Sequence, residues 1–314
     1  MTETKTDWYI IVNPHAGSGK TMAAWAVAEK RLAELDIPYA VTYTGYKSHA
    51  KELAWDAARN GYRRILAVGG DGSVHEIFTG VLTFCEVEGV PSEEFYLGVI
   101  PIGSGNDWIK SLKVPHDTVK VIDLIRDGKF GTMDVVEMRT SDGKLSAMAN
   151  IGGIGFDSHV CKRVNLQKES GARGSKIYLN ALRQTLFSLK HINLRFVADD
   201  KVIYEGPIYS FALGNGRYSG SGMRQVPLAV IDDGILDLTI IPKMPLTTIL
   251  RQIHRLYNGT LAESHDVIIA RCKKLEVIPL DEDSADIFEL DGEIEGQLPI
   301  YIEMDGRQIG VIKG

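Results

Sequence analysis

The 314 residues, 44% of them apolar, suffice for one large or two ordinary domains with real cores, and the formal charge of −6 argues against a nucleic-acid binder, which wants a basic surface. Three scattered cysteines (Cys85, Cys161 and Cys272) and eight unclustered histidines form neither a disulfide framework nor a zinc spacing, which predicts a reducing, cytoplasmic setting. No apolar run is long enough to span a bilayer and the N-terminus lacks a signal-peptide core, so a soluble protein is expected, one that meets a membrane only from the side.

Residues 8–12 form an apolar run read as a strand. The turn after it, Asn13-Pro14-His15-Ala16-Gly17-Ser18-Gly19-Lys20, precedes a helical pattern over 20–35 that sets Met22, Trp25, Ala26 and Leu32 on one side. This turn is shaped like a phosphate-binding loop but fails the motif, because its first glycine would fall at Pro14. A strand over 39–43 and a helix over 49–60 follow. The strand over 64–68 runs into Gly69-Gly70-Asp71-Gly72-Ser73, and Val74, Ile77, Phe78 and Val81 then repeat at helical spacing. Glycines between a strand and a helix let bare backbone approach a polyphosphate while helix N–H groups point at it. Asp71 would repel phosphate, and its place there makes sense if Mg²⁺, an attacking hydroxyl or a ribose stands in between. A strand over 96–100 leads to Gly103-Ser104-Gly105-Asn106-Asp107-Trp108, which begins like a dinucleotide fingerprint. Trp108 at the third glycine position disfavours hydride chemistry, and Ser104, Asn106 or Asp107 would also serve as a plain helix cap. The alternation predicts a parallel sheet covered by helices, with the three glycine turns on its ligand-binding edge.

From about residue 134 the grammar changes. Strands are predicted over 134–139, 144–149, 193–198, 201–204, 208–213, 235–241, 275–279 and 287–290, with Ser141-Asp142-Gly143 and Asp199-Asp200 as turns. Helices are predicted over 176–190 and 246–258, and this density of antiparallel strands suggests a β-sandwich. The last ten residues form one more strand, which pattern alone assigns to neither half. Asn150-Ile151-Gly152-Gly153-Ile154-Gly155-Phe156-Asp157 reads as a glycine loop, either a tight bulge or a turn placing Asp157 near a polar substrate head. Asp232-Asp233-Gly234 reads as a hairpin turn, or as a Mg²⁺ or Ca²⁺ site using Asp233 with the carbonyls of Val230 and Ile235. Asp291-Gly292-Glu293 reads as a plain turn, or as a general base and a Mg²⁺ contact on a glycine pivot. Segment 162–195 carries Lys162, Arg163, Lys168, Arg173, Lys176, Arg183, Lys190 and Arg195 beside a stripe of Leu179, Leu182, Leu186 and Leu189. The stripe is read as core packing with a solvated basic face, and contact with an anionic membrane is the second reading.

In their order, the motifs at 13–20, 69–76, 101–107, 152–157, 232–234 and 291–293 resemble those of the diacylglycerol kinase catalytic domain family, which includes bacterial lipid kinases and sphingosine kinases. The resemblance covers nearly the whole chain. It implies a three-layer α/β nucleotide-binding domain over 1–133, joined by a returning segment 305–314, and a β-sandwich lipid domain over 134–304. It implies an ATP site at Asn13, Pro14, His15, Ala16, Gly17, Thr44, Gly70, Asp71, Gly72, Ser73, Val74, His75, Glu76 and Ser104. It implies a structural Mg²⁺ at Asp233 with the Val230 and Ile235 carbonyls, and Asp157 at the lipid head. Glu293 is then the expected proton acceptor, with Asp291 beside it and Asp71 competing for the role. Ser73 and Ser104 replace the usual threonines and keep the hydroxyl, while His75 stands where asparagine is common. The expected activity is ATP-dependent phosphorylation of a hydroxyl on a diacylglycerol-like or sphingoid lipid, in phospholipid biosynthesis, by a cytoplasmic protein working at a membrane surface. The alternatives are an NAD kinase or phosphofructokinase-like phosphotransferase, and a non-catalytic nucleotide- or lipid-binding regulator.

Overall fold

In the first strand, β1 (Lys5–Val12), the consecutive residues Ile10, Ile11 and Val12 are all buried, which requires a sheet covered on both faces. The computed structural model describes residues 4–103, 105–140, 143, 145–169, 176–188, 191–284 and 286–314. After β1 come α1 (Thr21–Glu34), β2 (Tyr39–Tyr43), α2 (His49–Arg59), β3 (Tyr62–Gly69), α3 (Asp71–Glu88), β4 (Tyr96–Pro101), α4 (Asp107–Leu112), α5 (Thr118–Arg126) and β5 (Phe130–Asp134). The strands order as β2-β1-β3-β4, then the chain's final strand Gln308–Ile312, then β5. All neighbours are parallel except the last pair. Helix α1 turns Trp25, Ala28 and Leu32 inward at helical spacing. Helix α2 buries only alanines (Ala50, Ala54, Ala57 and Ala58), which lets it approach α3 until a Cβ on Gly80 would lie 2.3 Å from the Lys51 carbonyl. Register places Val12 beside Val68 and Gly69 beside Pro101. The turns that follow β1, β3 and β4 therefore leave the sheet side by side. This unit comprises Met1–Val135 and Gly306–Gly314.

The second unit, Val136–Asp305, is antiparallel throughout. It contains β6 (Val136–Thr140), β7 (Leu145–Met148), β8 (Ile151–Gly155), α6 (Phe156–Glu169), α7 (Lys176–Ser188), β9 (Ile192–Ala198), β10 (Lys201–Gly214) and β11 (Leu236–Pro242). There follow α8 (Leu246–Asn258), β12 (Ile268–Cys272), β13 (Lys274–Pro279), β14 (Ile287–Leu290), β15 (Glu293–Gln297) and β16 (Ile300–Glu303). The strands form one eleven-stranded sheet ordered β15-β14-β8-β10-β9-β13-β16-β6-β7, with β11 on β10 and β12 on β11. Along β9, Ile192, Leu194, Phe196 and Ala198 are buried while the residues between them are not, the period of a one-sided strand. One core unites Phe288 of β14 and Phe211 of β10 with Ile300 of β16 and Met138 of β6, from opposite ends of the strand order. The sheet thus folds over itself as a β-sandwich.

Several local expectations change. Residues 151–155 are not a loop but strand β8, paired on both sides by β10 and β14, and Asp157 opens helix α6. The glycines there serve packing, since a Cβ on Gly152 would meet Leu290 Cδ2 at 2.6 Å. The segments 201–204 and 208–213 are one strand, β10, which passes from β9 to β8 and β11 near Gly206-Pro207. Strands β12, β15 and β16 were not anticipated by periodicity. In α7, Ile177, Ala181 and Thr185 are buried and Leu182 and Leu186 half-buried, so these residues face protein, while the side chain of Leu179 lies outside the described ones. Arg173, Leu189 and Lys190 of that segment, and Ser141, Asp142 and Lys144 before β7, lie outside the described residues.

Candidate functional site

In the first unit the glycine turns are fastened to one another. Asn13 at the end of β1 donates from Nδ2 to Ser73 Oγ (3.2 Å) and accepts the His15 N–H at Oδ1 (3.0 Å). Gly17 has φ +55°, and a Cβ on it would lie 2.4 Å from Ile102 Cγ2. Only glycine lets the first turn rest on the third. A Cβ on Gly69 would lie 2.4 Å from Ser73 Oγ, and one on Gly70 3.3 Å from the Ile102 carbonyl. The buried Thr44 donates its N–H to the Val12 carbonyl (2.9 Å), bringing the end of β2 to the same edge. Pro14, Ala16 and Gly17 are half-buried and His15 exposed, whereas Ser73, Val74 and His75 are buried in the first turns of α3.

Two acids of this unit have structural duties. Asp71 accepts the Asp107 N–H at Oδ2 (3.2 Å) and the Trp108 N–H at Oδ1 (3.4 Å), so its carboxylate caps α4. A Cβ on Gly105 would come within 3.1 Å of that carboxylate. Glu76 accepts the Ser48 and Ala50 N–H groups (3.1 Å each) and caps α2. Gly72 stands in the first turn of α3, and Ser104 lies outside the described residues. The result is an edge of backbone and small polar groups gathered from the ends of four parallel strands. Such an edge suits an anion whose oxygens accept N–H bonds.

In the second unit the turn between β14 and β15 is pinned from several directions. Asp291 adopts φ +52°, and its carboxylate accepts the N–H groups of Ala149 (2.8 Å), Asn150 (2.8 Å) and Ile151 (3.1 Å). Gly292 donates its N–H to Glu289 Oε2 (2.8 Å), and its carbonyl accepts from Cys161 Sγ (2.9 Å) and Asn165 Nδ2 (3.2 Å), both on α6. Glu293 is half-buried at the start of β15. Asp157, in the first turn of the same helix, accepts from Gln225 Nε2 (2.6 Å) and from the Ser210 hydroxyl. Protein crowds its carboxyl while part of the residue's surface stays open, and burial pushes its pKa up against those two hydrogen bonds. Beside it, Tyr209 stacks on Phe156 and buries a hydroxyl that finds no hydrogen-bond partner among the described residues. Burial first, and the Asp157 charge second, raise that phenol's pKa.

At the 230–235 turn, Asp233 Oδ1 accepts the Ile235 N–H (3.2 Å) and Oδ2 pairs with the guanidinium of Arg271, which also bonds Asp237 (3.1 Å). Asp237 is buried, and burial pushes its carboxyl up while Arg271 opposes the shift. One carboxylate and two carbonyls are hard donors of the right kind for Mg²⁺. Arg271 already offsets the charge of that carboxylate, which weakens its pull on a divalent ion at this turn. Among the described residues no three His, Cys, Asp or Glu side chains gather as a metal site. Sequence reasoning missed Glu289, Cys161, Asn165, Ser210, Gln225 and Arg271. Only Glu289 carried a signal, an acid ending an apolar strand beside two further acids.

Residues 7–138 match the family of the diacylglycerol kinase catalytic domain, and residues 150–313 match the YegS C-terminal NAD kinase beta sandwich-like domain. A Xanthomonas campestris protein called "Probable lipid kinase YegS-like" is 27% identical over 76% of this chain and 74% of its own length. The Mycobacterium tuberculosis diacylglycerol kinase is 26% identical over 85% of this chain and 83% of its own. A solved diacylglycerol kinase from Bacillus anthracis shares the fold with a TM-score of 0.77 at 22% identity, covering 98% of this chain and 97% of that one.

Proposed function

This chain belongs to the family that joins a diacylglycerol kinase catalytic domain to a YegS C-terminal NAD kinase beta sandwich-like domain, and from that premise we propose that it is an ATP-dependent lipid kinase. Its acceptor is a hydroxyl on a diacylglycerol-like or sphingoid lipid. The observation that carries the reading is the meeting of the Asn13–Gly17 and Gly70–Ser73 turns with Ile102 and Gly103 at one edge of a parallel sheet, joined through Asn13, Ser73 and Ile102. In this reading Asn13, Pro14, His15, Ala16 and Gly17 line the nucleotide, with Thr44, Gly70 to Glu76 and Ser104 around them. The buried Val74 and His75 and the helix-capping Glu76 shape that wall rather than reach into it. The lipid oxygen attacks the γ-phosphorus, the bond to the β–γ bridging oxygen breaks, and ADP leaves. The hydroxyl proton passes to Glu293, while Asp291 holds the turn that carries it. Asp157 meets the polar head of the lipid. Mg²⁺ is the cofactor of this reading, and when bound it spreads charge that builds on the phosphate oxygens. Asp71 stands within the phosphate turns; Asp233 with the Val230 and Ile235 carbonyls offers a second position, beside Arg271.

Labelled ATP supplied with diacylglycerol, a sphingoid base, NAD and fructose 6-phosphate tests the reading, with products separated by thin-layer chromatography. Label on a lipid alcohol is expected. Label on NAD or the sugar phosphate would move the chain to another phosphotransferase class, and ATP binding without any product would make it a regulator.

A further inference from the structure

Helix α8 (Leu246–Asn258) has no buried residue, although six of its thirteen residues are large and apolar. Leu246, Ile249, Leu250, Ile253, Leu256 and Tyr257 recur at helical spacing and form one stripe. The stripe straddles the boundary between protein and water. Ile249 and Leu256 are half-buried on the inner side, where the Leu256 carbonyl accepts the Arg224 N–H (2.6 Å). Leu250, Ile253 and Tyr257 stand at the outer edge, 50%, 38% and 56% exposed. A soluble helix normally turns its stripe inward, and a row of three exposed apolar side chains on one edge needs an occupant.

Charge says which occupant. From residue 238 to residue 262 there is no aspartate or glutamate, yet the stretch holds Lys243, Arg251, His254 and Arg255 in a chain of net charge −6. At about 100° per residue, His254 and Arg251 follow Leu250 and Tyr257 around the helix on its outward side. Both are exposed. Two acids meet polar residues of the helix, away from the apolar row. Asp266 takes the Gln252 amide (2.5 Å), and Glu263 lies 3.9 Å from Arg255. An apolar edge followed around the helix by His254 and Arg251, on a helix that carries no acid of its own, is complementary to an anionic bilayer surface. There the apolar row enters the acyl boundary and the cations meet headgroup phosphates.

We propose that α8 docks the protein on anionic membrane, lying in the plane of the bilayer with Leu250, Ile253 and Tyr257 inserted and Lys243, Arg251 and His254 at the headgroups. The inference rests on the lipid-kinase reading in one respect: such an enzyme must meet its acceptor in a bilayer. It places the membrane-facing surface on α8 and not on the basic segment 162–195, for which membrane contact is the second reading.

Sedimentation of the full chain with vesicles, without ATP, tests docking independently of catalysis. With phosphatidylglycerol mixed into phosphatidylcholine, Leu250→Glu/Tyr257→Glu is expected to weaken binding about tenfold or more, while Arg251→Glu weakens binding to the anionic vesicles and not to pure phosphatidylcholine. Because the changed side chains are exposed, melting temperature stays at the wild-type value and so does turnover on a short-chain, water-dispersed diacylglycerol. Wild-type binding by the double variant would overturn the proposal. So would sedimentation velocity showing a wild-type dimer that becomes monomeric in the variant with vesicle binding unchanged, since α8 would then cover a second copy. Loss of vesicle binding in a protein that phosphorylates no lipid alcohol would uphold the docking surface and sink the enzymatic reading alone.

Discussion

Asp291 and Glu293 are two residues apart, yet the turn gives them different work. Both Asp291 oxygens are spent on the buried amides of residues 149–151, and its backbone sits in the left-handed region. Asp291→Ala would leave those N–H groups unpaired, at about 1–3 kcal/mol for each one not reached by water. We therefore expect Asp291→Ala to lose stability and activity together. Glu293→Gln, in contrast, should melt with the wild type, bind ATP normally and turn over roughly 10²–10⁴-fold more slowly. Calorimetry paired with turnover checks this, and near-normal rates in Glu293→Gln would remove it as the base. Asp157 supplies a pH test. Burial raises its folded pKa above the unfolded value, so the folded state favours the protonated acid. The stability this adds is full below the unfolded pKa and is lost as pH rises through the folded pKa. Asp157→Asn cannot ionise and should out-melt the wild type at pH 8, with the gap closing toward pH 4. A gap independent of pH would show that the carboxyl does not carry this burden.

Helix α6 is the element that connects these residues. Its first turn carries Asp157, His159 two residues on bonds Asp286 Oδ1 (2.9 Å) just before β14, and Cys161 and Asn165 hold the Gly292 carbonyl. Each bond is modest; together they fix the path of the chain into Glu293. Asn165→Ala should cost about 1 kcal/mol of stability and lower kcat several-fold while leaving ATP affinity intact. A fall in ATP affinity, with kcat unchanged, would count against a positioning role. None of this was legible in the sequence, because the partners lie 127 to 131 residues apart and their types are ordinary. The same holds for Arg271, which meets Asp233 across 38 residues. Strand β8 was hidden for another reason: its glycines read as a turn, whereas they are there to admit Leu290 and the backbone of β14. The α/β alternation of the first unit was legible, because a strand buried on both faces and a helix buried on one differ in period. The glycine turns were legible too, since strand ends dictate where such turns can gather. Most of the sandwich strands could be read individually, but their pairing order could not.

At the scale of the whole chain, the return of its last strand to the first sheet has the largest consequence. Gln308–Ile312 lies between β4 and β5, parallel to one and antiparallel to the other, and buries Ile309, Val311 and Ile312. Its neighbours are shaped for it. A Cβ on Gly98 would lie 2.1 Å from Ile312 Cδ1, and Ser92 Oγ donates to the Gln308 carbonyl (2.9 Å). At about 1.5–3 kcal/mol for each large side chain buried, those three residues contribute roughly 5–9 kcal/mol. That is comparable to the about 5–15 kcal/mol by which a domain is usually stable. Removing the strand also exposes the facing edges of β4 and β5 to edge-to-edge association. A chain ending at Met304 should therefore lose the nucleotide-binding unit, although every residue assigned to ATP precedes Val135. Residues 1–135 expressed alone should aggregate, and the same residues carrying 306–314 through a flexible linker should regain a cooperative melt and ATP binding. Equal stability and ATP affinity with and without the appended strand would show that β4 and β5 close the sheet unaided.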